Sequence, residues 1–412
     1  MTSASNTTFD VEAVRARFPA LKREVAGRPA IFADAPAGTQ VPFEVIEAVT
    51  AYYARSNANR GGEFITTIET DEIVESARSA MADFLNCDAS EVVFGPNMTT
   101  LAFALSRSLV RELAEGDEIV VTRLDHDANI SPWLAAAEDA GATVRWVEFS
   151  SDFRLDLESL DNALNERTKF VAFTLASNAL GTVTDAQAIV ERAHYVGALA
   201  IGDAVHLAPH RLIDVRALGV DILFCSPYKF FGPHAGVMYG RRELLDSWHP
   251  YRVRPADDES PWRWETGTAN HEGIAGIRAC ISYIANVVPG KGGRRERIVN
   301  SMQVAHEHQQ ALTEQFLDGV SGIDGVTLYG PDHTSRTSTF ALRVRDQHPD
   351  DTARRFADCG MFVWSGNYYA LAVMEALDLE VSGGALRVGF CHYNTRDEVD
   401  HILETLGRIA SG

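Results

Sequence analysis

The most constraining feature of this chain is an alternation that begins at Glu91. Short apolar runs recur at 92–94, 118–122, 143–149, 170–175, 198–201 and 222–225. Amphipathic stretches at 97–113, 132–141, 157–165 and 185–196 separate most of them. Strand and helix in alternation, with short links, predict a mostly parallel, doubly wound sheet with helices on both faces, an α/β fold. Ligands of such sheets sit beyond the carboxyl ends of the strands. Asn97, His126, Asn178, Asp203 and Ser226 each follow an expected strand end, so they are expected to converge.

At 412 residues the chain exceeds one small core, and two packed regions are expected. The segment PGKGG at 289–293 is the candidate boundary. It separates a large domain, 31–288, from a smaller α+β domain, 289–412. In the latter, helices are expected at 295–316, 350–359 and 396–409, with strands at 326–329, 338–344, 361–364 and 386–390. Residues 1–30, with an amphipathic stretch at 11–21, are expected to pack with the small domain. Further helices are expected from Pro42 through Tyr53, at 71–85 and at 271–286.

Charge and cysteine usage narrow the function classes. A net charge of −20 repels nucleic acid and anionic membranes. No apolar run approaches a membrane span. The five cysteines are scattered, with no CxxC pair. That argues against a disulfide framework and a zinc cage, and no metal site is expected. The N-terminus has no basic stretch leading into an apolar core, so a cytoplasmic protein is expected.

Lysine is rare here: only Lys22, Lys169, Lys229 and Lys291. Lys229 lies in LFCSPYKFFGPHAG, after a strand end and among Phe230, Phe231 and glycines. Such packing desolvates an ammonium, lowers its pKa and frees the amine for nucleophilic work. One use is a Schiff base with pyridoxal phosphate (PLP); the other reading is a lysine that snorkels out of a loop. Asp203 could hold a pyridine nitrogen protonated, or cap a turn. His126 could stack on a flat ring or move protons, or be structural. Met98, Thr99 and Thr100 at a helix start offer N–H groups and hydroxyls to a phosphate, or form a plain cap. Ser226 could hold the same phosphate or end its strand. The small-residue turn at 31–40 lets backbone approach a ligand, or is only a turn.

Taken in order, Asn97-Met98-Thr99-Thr100, Asp125-His126-Asp127-Ala128-Asn129, Ser177-Asn178, Asp203-Ala204-Val205-His206, Ser226-Pro227-Tyr228-Lys229 and Glu265-Thr266-Gly267-Thr268 resemble the class V aminotransferases of PLP fold type I, in their cysteine desulfurase-like branch. The resemblance runs from Phe18 to the C-terminus. It implies that Lys229 forms the imine with PLP and moves protons at the substrate Cα. Asp203 would pair with the ring nitrogen and His126 would stack on the ring. His206 and Asn178 would lie near the phenolic oxygen. Thr99, Met98, Ser226 and Tyr228 would hold the phosphate. Thr268 would reach the neighbouring subunit's phosphate, which implies a homodimer with its active site at the subunit interface. Arg387 would grip the carboxylate of an amino-acid substrate, with Ala37, Asn178 and Tyr369 beside it.

One departure stands out. Where the desulfurase pattern reads Arg-Thr-Gly-His-His-Cys, this chain reads Trp364-Ser365-Gly366-Asn367-Tyr368-Tyr369. Tyr369 takes the place of the persulfide cysteine, and a phenol cannot accept sulfur as a thiolate does. The expectation is a C–S lyase, or β-eliminase, without that cysteine. Transamination or epimerisation, and a non-catalytic sulfur-transfer partner, are the alternatives. Trp262, Trp264, Trp364, Tyr368 and Tyr369 either line the pocket, suiting a bulky or apolar side chain, or pack in the core.

Overall fold

In the computed structural model, which describes residues 9–25 and 27–412, seven strands build the central sheet. They are β1 (Val92–Gly95), β2 (Glu118–Thr122), β3 (Thr143–Val147), β4 (Thr168–Thr174), β5 (Leu199–Asp203), β6 (Ile222–Cys225) and β7 (Gly236–Gly240). Their order across the sheet is β1-β7-β6-β5-β4-β2-β3. All pairs are parallel except those of β7, which runs against both β1 and β6. β1 therefore points the same way as β2 to β6, and their carboxyl ends share one edge.

The apolar runs reflect burial on both faces. Every residue of β2, β6 and β7 is buried. Val120, Val171, Phe173 and Leu223 face one core layer, shared with Phe84 and Ile281. Ile119, Val121, Phe170 and Phe224 face the other, shared with Leu105 and Trp133.

A second, antiparallel sheet contains β8 (Val326–Tyr329), β9 (Thr339–Val344), β10 (Trp364–Gly366) and β11 (Ala385–Gly389), in the order β8-β9-β11-β10. Phe340, Leu386 and Val388 pack there on Phe316 of helix Arg294–Ser321 and on Ile402 and Leu406 of helix Arg396–Ser411. Phe18 sits where the two parts meet, edge-on to Phe231 and Tyr283 and also to His392 and Tyr393.

The sequence reading differs from the structure in several places, among them the helices Arg242–Ser247 and Leu371–Ala376, which it did not expect. It missed β7, whose strand signal is short and bounded by glycines. Gly236 has a reason: a Cβ there would come within 2.3 Å of the Asn97 backbone. The helix expected at 71–85 starts at Ile65. In its added first turns the Thr67 and Thr70 hydroxyls donate to the Asn59 and Ser56 carbonyls. The strand expected at 361–364 is two strands: Met361–Phe362 pairs with Ile31–Phe32, whereas β10 pairs with β11. The chain changes sheets at Val363.

Candidate active site

The shared carboxyl edge of β1, β2, β4, β5 and β6 opens into a cavity. Met98, Thr99, His126, Asn178, Asp203, His206, Ser226, Tyr228 and Lys229 all line it. A wider cavity continues outward from the same lysine, walled by Ala37, Phe103, Trp364, Tyr368, Tyr369 and Arg387. All of the expected site residues converge except Thr268. That residue is exposed in the turn before helix His271–Ile284 and lines neither cavity.

Lys229 follows β6 in a short 3-10 turn, Pro227–Lys229. Its ammonium donates to the Pro36 carbonyl at 2.5 Å and the Ala37 carbonyl at 3.0 Å. The small-residue turn at 31–40 thus does approach the site through its backbone. Thr39 fastens the two loops: its N–H donates to the Tyr228 carbonyl, and its hydroxyl oxygen accepts from the Phe231 N–H at 2.7 Å. Phe231 holds φ +75°, a left-handed conformation unusual for a bulky residue, and is clamped on His392 at 4.1 Å. Burial, helped by repulsion from Arg387, pulls the lysine pKa down to about 7 against the attraction of Asp203 and Asp34. A large fraction of the amine is then free at neutral pH.

Asp203 ends β5 and is wholly enclosed. It accepts the Val205 N–H at 2.8 Å, yet burial lifts its carboxyl to about 6. His126 accepts the Ala128 N–H on Nδ1 at 3.0 Å, which puts the neutral ring's proton on Nε2. Burial, with repulsion from Lys229 and Arg387, lowers its pKa to about 4. The ring is therefore neutral at ordinary pH, and its plane lies near-parallel to Tyr369 at 5.6 Å. His206 is tied to the second sheet through hydroxyls of Thr337 and Thr339, each at 3.1 Å. Burial holds it neutral as well.

Helix Met98–Leu109 begins at the cavity. The Asn97 side chain caps only Thr100, so the Met98 and Thr99 N–H groups have no partner within the helix. They and the nearby Ser226 hydroxyl line the same wall. Two further polar atoms of lining residues lie buried without a partner, Asn178 Oδ1 and Arg387 Nε, as does Asp34 Oδ1 nearby, whose residue lines neither cavity. Buried polar groups are ordinarily paired, so a cluster left open marks a binding site. Arg387 spends one N–H on the Asn178 carbonyl at 2.9 Å and lies over the Tyr368 ring at 4.3 Å. Its guanidinium is buried, with its pKa lowered to about 10 by that burial.

Sequence reasoning missed Asp34, although a carboxylate just past a strand in a small-residue turn was a usable signal. Burial raises its carboxyl to about 6. It also missed Phe103, which periodicity reads as part of a helix face. Of the candidate pocket aromatics, Trp364, Tyr368 and Tyr369 line the wider cavity. Trp262 instead lies under the guanidiniums of Arg60 and Arg78, and Trp264 is buried with its N–H on the Leu245 carbonyl. Cys225, Cys280 and Cys391 are buried, Cys87 is partly buried and Cys359 is exposed; none lines either cavity.

A doubly wound sheet with a lysine, a carboxylate and a flat histidine at its carboxyl edge defines the class: enzymes of PLP fold type I. The chain belongs to the aminotransferase class-V family, whose profile matches residues 31–402. It is 32% identical to a probable cysteine desulfurase of Halalkalibacterium halodurans, over 95% of this chain and 96% of that one. It is also 32% identical to a cysteine desulfurase of an Enterobacter species, over 98% of each. Among solved structures it resembles the cysteine desulfurase of Thermococcus onnurineus (TM-score 0.89, 27% identity, 100% of both chains). A cysteine desulfurase from Escherichia coli is similar at TM-score 0.87 and 25% identity, covering 98% of this chain and 99% of that one. The family implies PLP as cofactor. The open helix N-terminus, the buried acid, the lysine and the unpartnered polar atoms of this cavity fit that group.

Proposed function

We propose that the protein acts at Cα and Cβ of an amino acid as a PLP-dependent C–S lyase that works by β-elimination without a persulfide cysteine. The observation that carries this is a pair of adjoining cavities that share Lys229, the inner one lined by Asp203 and the outer one by Arg387. Met98, Thr99, Ser226 and Tyr228 would hold the cofactor's phosphate. Asp203 would face its ring nitrogen, His126 its ring face, and Asn178 and His206 its phenolic oxygen. Lys229 would hold its aldehyde carbon. Bound there, the cofactor supplies an electron sink for charge developing at Cα.

The chain's own groups do the rest. Arg387 binds the substrate carboxylate with its unpaired guanidinium edge. Lys229, with a pKa near neutrality, is suited to take the Cα proton. The β-substituent then departs with its bonding pair as Cα and Cβ become doubly bonded. No thiolate is needed. Tyr369 stands in the rim, and the cysteines lie elsewhere. A homodimer fits the exposed apolar side chains Phe43, Ile46, Tyr53, Phe64, Ile65 and Ile68, on and beside two helices, and would put Thr268 to use.

The test is to incubate PLP-loaded protein with L-cysteine and with β-chloro-L-alanine. Elimination releases pyruvate from both, and sulfide from cysteine. A new amino acid formed from an added keto acid, or D-amino acid without pyruvate, would replace this reading by transamination or epimerisation. No turnover and no bound cofactor would leave the non-catalytic alternative.

A further inference from the structure

The proposed function leaves one part of the wider cavity unused. Beyond Lys229 and Arg387, its lining includes Phe103, Trp364, Tyr369 and Asp127. Trp364 and Tyr369 are 50% and 73% exposed, large rings with free surface at a cavity mouth. Single exposed aromatics are ordinary, but several gathered at one opening mark a contact surface.

Their placement is fixed. Trp364 on β10 is the direct cross-strand partner of Arg387 on β11. Such partners share a face, with Cβ atoms about 5 Å apart. The indole therefore stands beside the guanidinium. The turn beyond it is pinned from several sides. Asn178 Nδ2 donates to the Tyr368 carbonyl at 2.9 Å, and the Asp127 N–H donates to the Tyr369 carbonyl at 2.7 Å. The Tyr369 N–H donates to Asn367 Oδ1 at 3.1 Å, and the Tyr368 hydroxyl donates to the Ala385 carbonyl. Tyr368 and Tyr369 both hold left-handed backbone, φ +57° and +56°. Two bulky residues in that region persist only where the surroundings over-determine them. The segment is a fixed ledge.

Charge completes the argument. Among the described residues, Lys229 and Arg387 are the only cations lining this cavity, and both already have work. Asp127 accepts from the Ser131 hydroxyl at 3.3 Å, and burial raises its carboxyl pKa. An acidic substrate side chain finds no spare cation among the described lining residues, and the carboxylate at the rim, Asp127, is half-buried and tied to Ser131.

We infer that the ledge of Trp364 and Tyr369, with Phe103 lining the same cavity, receives the substrate's side chain, and that this side chain is bulky, aromatic and uncharged. The inference rests on the reading that Arg387 holds the substrate carboxylate. An aromatic ring laid on Trp364 gains both burial and ring–ring contact.

The experiment is a titration of PLP-loaded protein with L-phenylalanine, L-alanine, L-aspartate and L-lysine, read as the change in cofactor absorbance. L-Phenylalanine is expected to bind at least about tenfold tighter than each of the others, the scale of a filled apolar pocket. In Trp364→Ala the ratio of alanine to phenylalanine dissociation constants should fall roughly tenfold. The wild-type panel stands even if that variant fails to fold. Binding of all four with equal affinity, or tightest binding of aspartate or lysine, overturns the inference and leaves the proposed function standing. If no amino acid perturbs the absorbance, both fall.

Discussion

At the floor of the cavity, the working side chains lie at the ends of several strands of one buried sheet. At the rim, Trp364, Tyr368 and Tyr369 sit together on one short segment of the other sheet. The floor groups are buried, and their titration is displaced by that burial: Lys229 down to about 7, Asp203 up to about 6, His126 down to about 4. Two of the three rim rings are exposed, and Tyr369 shows no hydrogen bond from its hydroxyl. The difference separates two tasks. Chemistry rests on groups whose protonation is set by a rigid, dry surround. Under the inferred substrate placement, selection among substrates would rest on the exposed rings of the ledge. On the proposed reading, Tyr369 of the ledge stands where the desulfurase pattern carries its thiol, and the floor residues would still hold the cofactor.

The largest effect should come from the floor. Lys229→Ala should lower turnover by about 10³-fold or more, measured with β-chloro-L-alanine, because both amine and proton acceptor are lost. Activity within tenfold of wild type would move the chemistry away from the strand ends. Arg387→Lys tests the seam between floor and rim. It keeps the charge but loses the planar fork, so KM should rise about 10- to 100-fold, with a smaller change in kcat. An unchanged KM would place the carboxylate elsewhere.

Asp203→Asn sharpens the contrast through stability. The buried carboxyl titrates near 6 rather than 3.8, so the unfolded chain gives up this proton more readily than the folded one. In the cofactor-free protein its ionisation therefore costs stability as pH rises from about 4 to 6, by about 3 kcal/mol in full. Asparagine keeps the acceptor for the Val205 N–H without the charge. The variant should melt several degrees higher than wild type at pH 8, lose most of that gain at pH 4, and turn over poorly once PLP is added. Equal melting at both pH values would contradict the buried-charge account. The smallest effect should follow alkylation of the exposed Cys359 with iodoacetamide: modification with turnover within about twofold, as for a surface site away from the chemistry. Stoichiometric loss of activity would restore a cysteine to the mechanism.

Much of the floor was legible in the sequence, because a parallel sheet converts strand ends into neighbours. Asn97, His126, Asn178, Asp203 and Ser226 are far apart in the chain, and the strand–helix alternation alone groups them. Long-range side-chain relations were not legible. Asp34 reaches the site from a strand that pairs with Met361–Phe362, and Thr337 and Thr339 reach His206 across the two sheets. Nor could composition tell Trp364, at the rim, from Trp264, in the core. Their local sequences are equally aromatic, and only the register of β10 against β11 decides. β7 escaped because glycines at both ends mimic a turn.

The central claim is that one lysine of this lysine-poor chain is the point of cofactor attachment. The most direct measurement is to load the protein with PLP, reduce it with borohydride, digest it and map the pyridoxyl mass by peptide sequencing. The account predicts a single modified residue, Lys229. Label on Lys22, Lys169 or Lys291 in comparable yield, or no retained label, would contradict it.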